Sequence, residues 1–349
     1  MSLADVFGSS RNNVFNRWAP SLPECIAGQM SVDDAVARLQ EPYARISAGP
    51  SLCLDGTASF FCLGSCFARG IEEAIDWAGG RALTRQLFLA AHEADPFTVP
   101  DRNGRRPTAF LNRYNSGSML LELQRITGEI DLGEALIYRE RDRYVDLHYT
   151  RRLDRVGKEK ESLVEQRQRI LEVYRDAFTD ANVFIFTFGL CEAFRDASTG
   201  QYLNITPMHY TEPGDGLEFR FISYEENVGH MRQIMRILRA HGKQHIIFMV
   251  SPVPLARTFT AMDVVVANQR AKATLLAAVH EVCATDAGCH YFPSFELVTH
   301  TDPSKAWRED RQHVKDKMVE HIVDSFMATH LPDAQPGGQR TRRQGANRT

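Results

Sequence analysis

Phe60-Phe61-Cys62-Leu63-Gly64-Ser65-Cys66-Phe67-Ala68 is an apolar run that ends on a glycine and a serine and then turns amphipathic. It predicts a buried strand over 57–64, running straight into a helix over 65–78 that Gly79-Gly80 stops. A serine at that turn is lifted out of the sheet and set at a helix N-terminus. Backbone N–H groups there are placed to stabilise developing negative charge. Ser65 is therefore the first candidate nucleophile, with its own N–H as a candidate oxyanion donor. The plainer reading is a serine that only caps the helix.

Working outward, further apolar runs recur with helical stretches between them. Asn182-Val183-Phe184-Ile185-Phe186-Thr187, His245-Ile246-Ile247-Phe248-Met249-Val250 and His290-Tyr291-Phe292 read as strands. Residues 116–127, 161–179, 224–241 and 262–284 read as helices, and a last helix covers about 311–329. Continuous apolar strands separated by amphipathic helices predict a mainly parallel sheet with helices on both faces. The order of elements makes a three-layer α/β/α sandwich, flavodoxin-like, over 41–330. Residues 1–40 form an extension with a short helix at 31–39 capped by Ser31. Residues 95–115 read as a long loop, 131–160 as charge-rich without clear periodicity, and 331–349 as a disordered tail. Sites in such sheets lie at the carboxyl ends of strands, here Ser65, Gly189 and Ser251.

Far downstream, Asp310-Arg311-Gln312-His313 places a carboxylate and an imidazole three residues apart at the head of the last helix. With Ser65 they supply the parts of nucleophilic acyl chemistry: His313 as general base, Asp310 orienting its ring. The alternative is that Asp310 only caps the helix. Cys66 is the competing nucleophile, since a thiol at a helix N-terminus can be activated; as a small packed hydrophobe it would be inert. His280, His290, His300 and His321 have no comparable carboxylate in register.

These stretches resemble one family. Gly64-Ser65-Cys66-Phe67-Ala68 is the motif for which the GSCFA family is named. Tyr114-Asn115, Thr187-Phe188-Gly189-Leu190-Cys191-Glu192, Ser251-Pro252-Val253-Pro254-Leu255 and Tyr291-Phe292-Pro293-Ser294-Phe295-Glu296 are similar to its other blocks, in order, across roughly 50–326. The family looks like a branch of the SGNH (GDSL-type) hydrolases. That likeness implies an SGNH-like domain and an oxyanion hole completed by Gly189 and an asparagine. Cys191 stands where that asparagine would be, so either Asn115 supplies the side-chain donor or only backbone N–H groups do. Glu192 is a candidate for binding substrate, or a carboxylate at a helix start. Ser251 heads a proline-stiffened loop that would wall the site. The resemblance implies an esterase or O-acyltransferase acting on acylated carbohydrate or a related small ester. A catalytically silent carbohydrate- or protein-binding module is the other reading.

Composition bounds the rest. The 349 residues are 43% hydrophobic and 24% charged, with a formal net charge of −3, which gives no pull toward nucleic acid. Seven cysteines without CxxC spacing argue against a disulfide framework. No secretory signal and no transmembrane run is seen, so the expected location is cytoplasmic. No metal or nucleotide motif appears, and no cofactor is expected.

Overall fold

The computed structural model describes residues 3–20, 28, 31–49, 52–94, 107–140, 143–149, 159–207 and 216–331. In chain order its helices are α1 (Leu3–Asn12), α2 (Ala35–Leu39), α3 (Cys66–Trp77), α4 (Leu83–Ala94), α5 (Ser116–Ile126), α6 (Lys160–Asp180), α7 (Tyr224–Ala240), α8 (Val264–Thr285), α9 (Ser294–Thr299), α10 (Pro303–Ala306) and α11 (Asp316–His330). The strands are β1 (Ser59–Gly64), β2 (Arg81–Ala82), β3 (Ile137–Glu140), β4 (Arg143–Asp146), β5 (Val183–Phe188), β6 (Glu192–Asp196), β7 (Leu217–Phe221), β8 (His245–Val250) and β9 (Cys289–Tyr291).

Five strands form one parallel sheet in the order β2-β1-β5-β8-β9. Its alternation sorts side chains between two cores. Phe61, Leu63, Phe184, Phe186, Ile246 and Phe248 face α4, α5, α6, α7 and α8. Phe60, Cys62, Val183, Ile185, Ile247 and Met249 face α3, α9, α10 and α11. This is the expected α/β/α sandwich. Each fully buried phenylalanine contributes about 1.5–3 kcal/mol. The chain leaves β1 toward β2 and returns past it to β5, so the strand order reverses between β1 and β5. Ligands of open α/β sheets bind outside the carboxyl ends of the strands at such a reversal.

The turn from β1 into α3 is tight. A Cβ on Gly64 would lie 2.8 Å from Ala68 Cβ and 2.9 Å from Thr187 Cβ, so only glycine fits. Beyond the short β2, the Cys62 N–H donates to Thr84 Oγ1 at 2.8 Å. The buried Arg69 donates to the Cys62 carbonyl at 2.9 Å and pairs with buried Glu72 at 2.8 Å.

Two antiparallel ribbons add to the sandwich, and neither was expected. Hairpin β3–β4 and α5 enclose a small core of Leu121, Leu132, Leu136, Val145, Leu147 and Leu203. Ribbon β6–β7 leaves the end of β5. Several boundaries also differ from expectation. The short N-terminal helix starts at Ala35, with Asp34 at the cap position rather than Ser31. Ser31 heads the preceding turn, where its N–H donates to Asp34 Oδ2 at 2.9 Å. The last helix begins at Asp316, not 311, with Lys315 at its N-cap. Asp310 is therefore not a helix cap. The tail from 332 on and the loop residues 95–106 lie outside the described residues; the rest of that loop includes a 3-10 turn over Pro107–Leu111. All the described cysteines are thiols. No helix among the described residues is long and apolar enough to cross a membrane.

Candidate active site

Ser65 is the N-cap of α3. Its backbone is extended (φ −73°, ψ −172°), and its Oγ accepts from the Phe67 N–H at 3.3 Å. The capping reading is thus correct as far as it goes. The same hydroxyl also opens onto a cavity of about 480 Å³ at the carboxyl edge of the sheet, which Cys66, Tyr114, Gly189, Ser251, Gln312 and His313 help to line. Ser65 itself is only 4% exposed. Its hydroxyl donates to Ser251 Oγ at 3.4 Å. Ser251 Oγ in turn accepts from the Val253 N–H at 3.3 Å, so Ser251 is a wall residue that also touches the candidate nucleophile.

Across the cavity, Asp310 and His313 meet directly. His313 Nδ1 lies 2.6 Å from Asp310 Oδ2, and Asp310 Oδ1 accepts from the N–H groups of His313 (2.9 Å) and Gln312 (3.0 Å). Those backbone bonds, then the imidazole, hold the Asp310 carboxyl well below its usual range. An ionised Asp310 keeps the His313 proton on Nδ1 and leaves Nε2 as the basic nitrogen. The pair sits in a closed turn, in which Arg308 N–H donates to the His313 carbonyl at 2.8 Å and Arg311 takes a left-handed φ of 54°. Among the described residues no hydrogen bond joins His313 to Ser65. The two line one cavity without touching.

Gly189 lies between the two serines. A Cβ there would be 3.8 Å from Ser65 Cβ and 3.9 Å from Ser251 Cβ. The Phe188 carbonyl accepts from the Ser251 N–H at 2.7 Å, on the β8 side. The peptide is trans, so the Gly189 N–H points the opposite way, toward the end of β1 and Ser65. Asn115 does not reach the cavity. It caps α5, with its Oδ1 accepting from Ser118 N–H at 2.8 Å and its Nδ2 donating to the Leu203 carbonyl at 2.9 Å. Turned to α5 and the Leu203 carbonyl and not among the residues that line the cavity, Asn115 is not placed as an oxyanion donor. Cys191 is fully buried, and burial pushes its thiol up to about 12. It is a packing residue.

Glu192 lines the cavity but does not offer its carboxylate to it. Oε1 accepts from Thr258 Oγ1 at 2.7 Å and Oε2 from the Phe259 N–H at 2.8 Å. It opens strand β6, so the helix-start reading also fails. Its work is to fasten the loop after Ser251. Phe259, Phe194 and Phe219 form an aromatic cluster at the same place, with centroids 5.1–6.0 Å apart.

Beneath the segment before α5 lies a buried ionic knot. Glu122 is bonded to Arg113, Arg125 and His148. Burial pushes the Glu122 carboxyl up, but the two guanidinium groups outweigh it and hold it well below its usual range. Burial also lowers His148 to about 4, so this ring is neutral. The knot fixes Arg113, whose N–H donates to the Gly64 carbonyl at 2.8 Å. It thereby holds Tyr114 against the site.

Residues absent from the sequence reading include Thr206, Arg257 and Phe259 on the cavity wall, and Lys272 behind it. Lys272 carried a legible signal. Ala267, Ala271, Leu275, Ala278 and Val282 make an apolar stripe on α8, and a lysine lies within it. Among the described residues no cluster of His, Cys, Asp and Glu is arranged to hold a metal.

Fold and site together define a parallel α/β sandwich with a serine at the strand-order reversal and an Asp–His pair facing the same cavity. The GSCFA family model matches residues 59–326, and the chain belongs to that family. Neither a curated protein nor a solved structure matches it.

Proposed function

We propose that the protein is a serine esterase or O-acyltransferase of the SGNH type, working through an acyl-Ser65 intermediate. The observation that carries this reading is the shared cavity: Ser65 and the Asp310-oriented His313 line one space at the reversal between β1 and β5. His313 Nε2 takes the Ser65 proton as Oγ attacks the acyl carbon. The Gly189 N–H and the N-terminus of α3 face the developing oxyanion. Collapse of that intermediate expels the alcohol, which His313 protonates. Water or an acceptor hydroxyl then attacks the acyl-enzyme and releases Ser65. Unligated sites are often loosely aligned, and the missing Ser65–His313 bond is one that forms as substrate displaces the Ser251 contact. The cavity volume suits an acylated sugar or similar small ester, and exposed Phe259 at its wall offers a ring face for stacking.

A silent binding module is the second reading. The observation favouring it is the Ser65 hydroxyl itself, bonded to Ser251 and almost fully buried. A fluorophosphonate probe separates the two. Labelling of the intact protein that is lost in Ser65→Ala and kept in Cys66→Ala supports the esterase. Labelling that follows Cys66, or none at all, overturns it.

A further inference from the structure

Lys272 is 1% exposed. Its Nζ donates to the Gly189 carbonyl at 2.8 Å, and among the described residues no carboxylate lies within ion-pair distance of it. A desolvated ammonium without a counter-charge is costly, so its place directly behind the cavity calls for a role. The titratable groups that face it are the Cys191 thiol, from the turn after β5, and the Cys66 thiol, from the start of α3. Two residues earlier on its own helix, Arg270 is turned to the Phe221 ring, 3.8 Å from its centroid.

The backbone is held on either side of Gly189. The carbonyl before it accepts from the Ser251 N–H, and the N–H after it, on Leu190, donates to the Tyr114 carbonyl at 2.8 Å. The Gly189 carbonyl is the remaining anchor, and Lys272 holds it. We propose that Lys272 is a positioning residue of the Ser65 site, whose protonated amine fixes Gly189 from behind so that the Gly189 N–H stays aimed at Ser65. The inference rests on the serine-esterase reading and deepens it. A charged donor makes roughly twice as strong a hydrogen bond as a neutral one, and it adds positive potential beneath the forming oxyanion.

Burial pushes Lys272 from 10.5 down to about 7, against the pull of the two thiols. The site therefore has its charged holder below that pH and loses it above. Stability moves in the opposite sense. Between 7 and 10.5 the unfolded chain binds more protons at this lysine than the folded one does, so the residue favours folding as pH rises through that window.

The test follows hydrolysis of p-nitrophenyl acetate from about pH 5 to about pH 9 by the full chain and by Lys272→Met. The intact protein is expected to lose rate on the alkaline side. The variant is expected to lack that fall and to have kcat lowered about 10- to 100-fold, with KM nearly unchanged. Should the methionine variant fail to fold, Lys272→Gln, which keeps a donor without the charge, is read by the same profile. An alkaline fall that persists in the variant, or a wild-type rate, overturns the proposal. NMR supplies a readout that needs no activity: the Lys272 side chain and the Gly189 amide should titrate together near neutral pH. Ser65-independent hydrolysis would remove the esterase reading alone. A Gly189 amide indifferent to the Lys272 titration would remove the lysine's role alone.

Discussion

The two halves of the candidate site are built by different means. Ser65 stands at the end of a central strand, 4% exposed, with its place fixed by sheet, helix and a turn that admits only glycine at position 64. Asp310 and His313 stand on an exposed turn, their side chains 48% and 58% accessible, and they hold each other through bonds that span no more than three residues. The nucleophile is thus a product of the whole fold, and the base of a local turn. Damage to the first should show in stability as well as function. Damage to the second should show in function alone.

Asp310→Asn is the largest effect expected on the local side. An amide keeps an acceptor for the Gln312 and His313 N–H groups but cannot stabilise an imidazolium, so turnover should fall by about 10²- to 10⁴-fold. Thermal melting should be unchanged. Melting lowered in step with activity would erase the contrast between the halves. Because the folded-state pKa of Asp310 is lowered, its carboxylate stays ionised as pH falls to its ordinary value of 3.8 and below. Whatever stability it adds is present above that value and lost below it.

Glu192→Ala should give an intermediate result. It strips two acceptor bonds from the loop after Ser251, so KM should rise several-fold, by more than kcat falls, with about 1–3 kcal/mol lost in stability. Equal falls in kcat and kcat/KM would instead return Glu192 to contact with the transition state. The smallest effect belongs to Arg311→Gly. Arg311 is held at a left-handed φ of 54°, which costs a side-chain-bearing residue about 1–2 kcal/mol and glycine almost nothing. Activity should stay within about twofold and stability should hold or rise slightly. A loss of activity would mean that the turn needs its strain, or its arginine.

The sheet was legible because strands buried on both faces must be apolar throughout, as Val183–Phe188 and His245–Val250 are. The Gly64–Ser65 turn was legible for the same reason: the apolar run stops where the chain leaves the sheet. Ribbons β3–β4 and β6–β7 were not. β3, β4 and β6 are only four or five residues long and mix charged with apolar positions, too short for a period of two to stand out, whereas the alternation of Leu217-Glu218-Phe219-Arg220-Phe221 in β7 was there to be read. Asn115 was misread because a cap and an oxyanion donor look alike until a partner for each amide atom is known. Glu192 failed likewise. Its role depends on Thr258 and Phe259, more than sixty residues away, and no local pattern announces such a bond. Lys272 was visible as a charge in an apolar stripe; what it holds was not.

The outer edge of β1 has a consequence for how copies of this protein meet. Strand β2 covers only its first residues. Past that point the Cys62 N–H is taken by Thr84, the Cys62 carbonyl by Arg69 and the Gly64 carbonyl by the Arg113 N–H. An exposed strand edge is a template on which another chain can add a strand, and proteins that leave one open are prone to aggregate. Here three of the hydrogen-bonding groups of that edge are already occupied, two of them by side chains and one by a loop. The strand that delivers Ser65 is closed to edge-to-edge growth, and it achieves this with little help from a neighbouring strand.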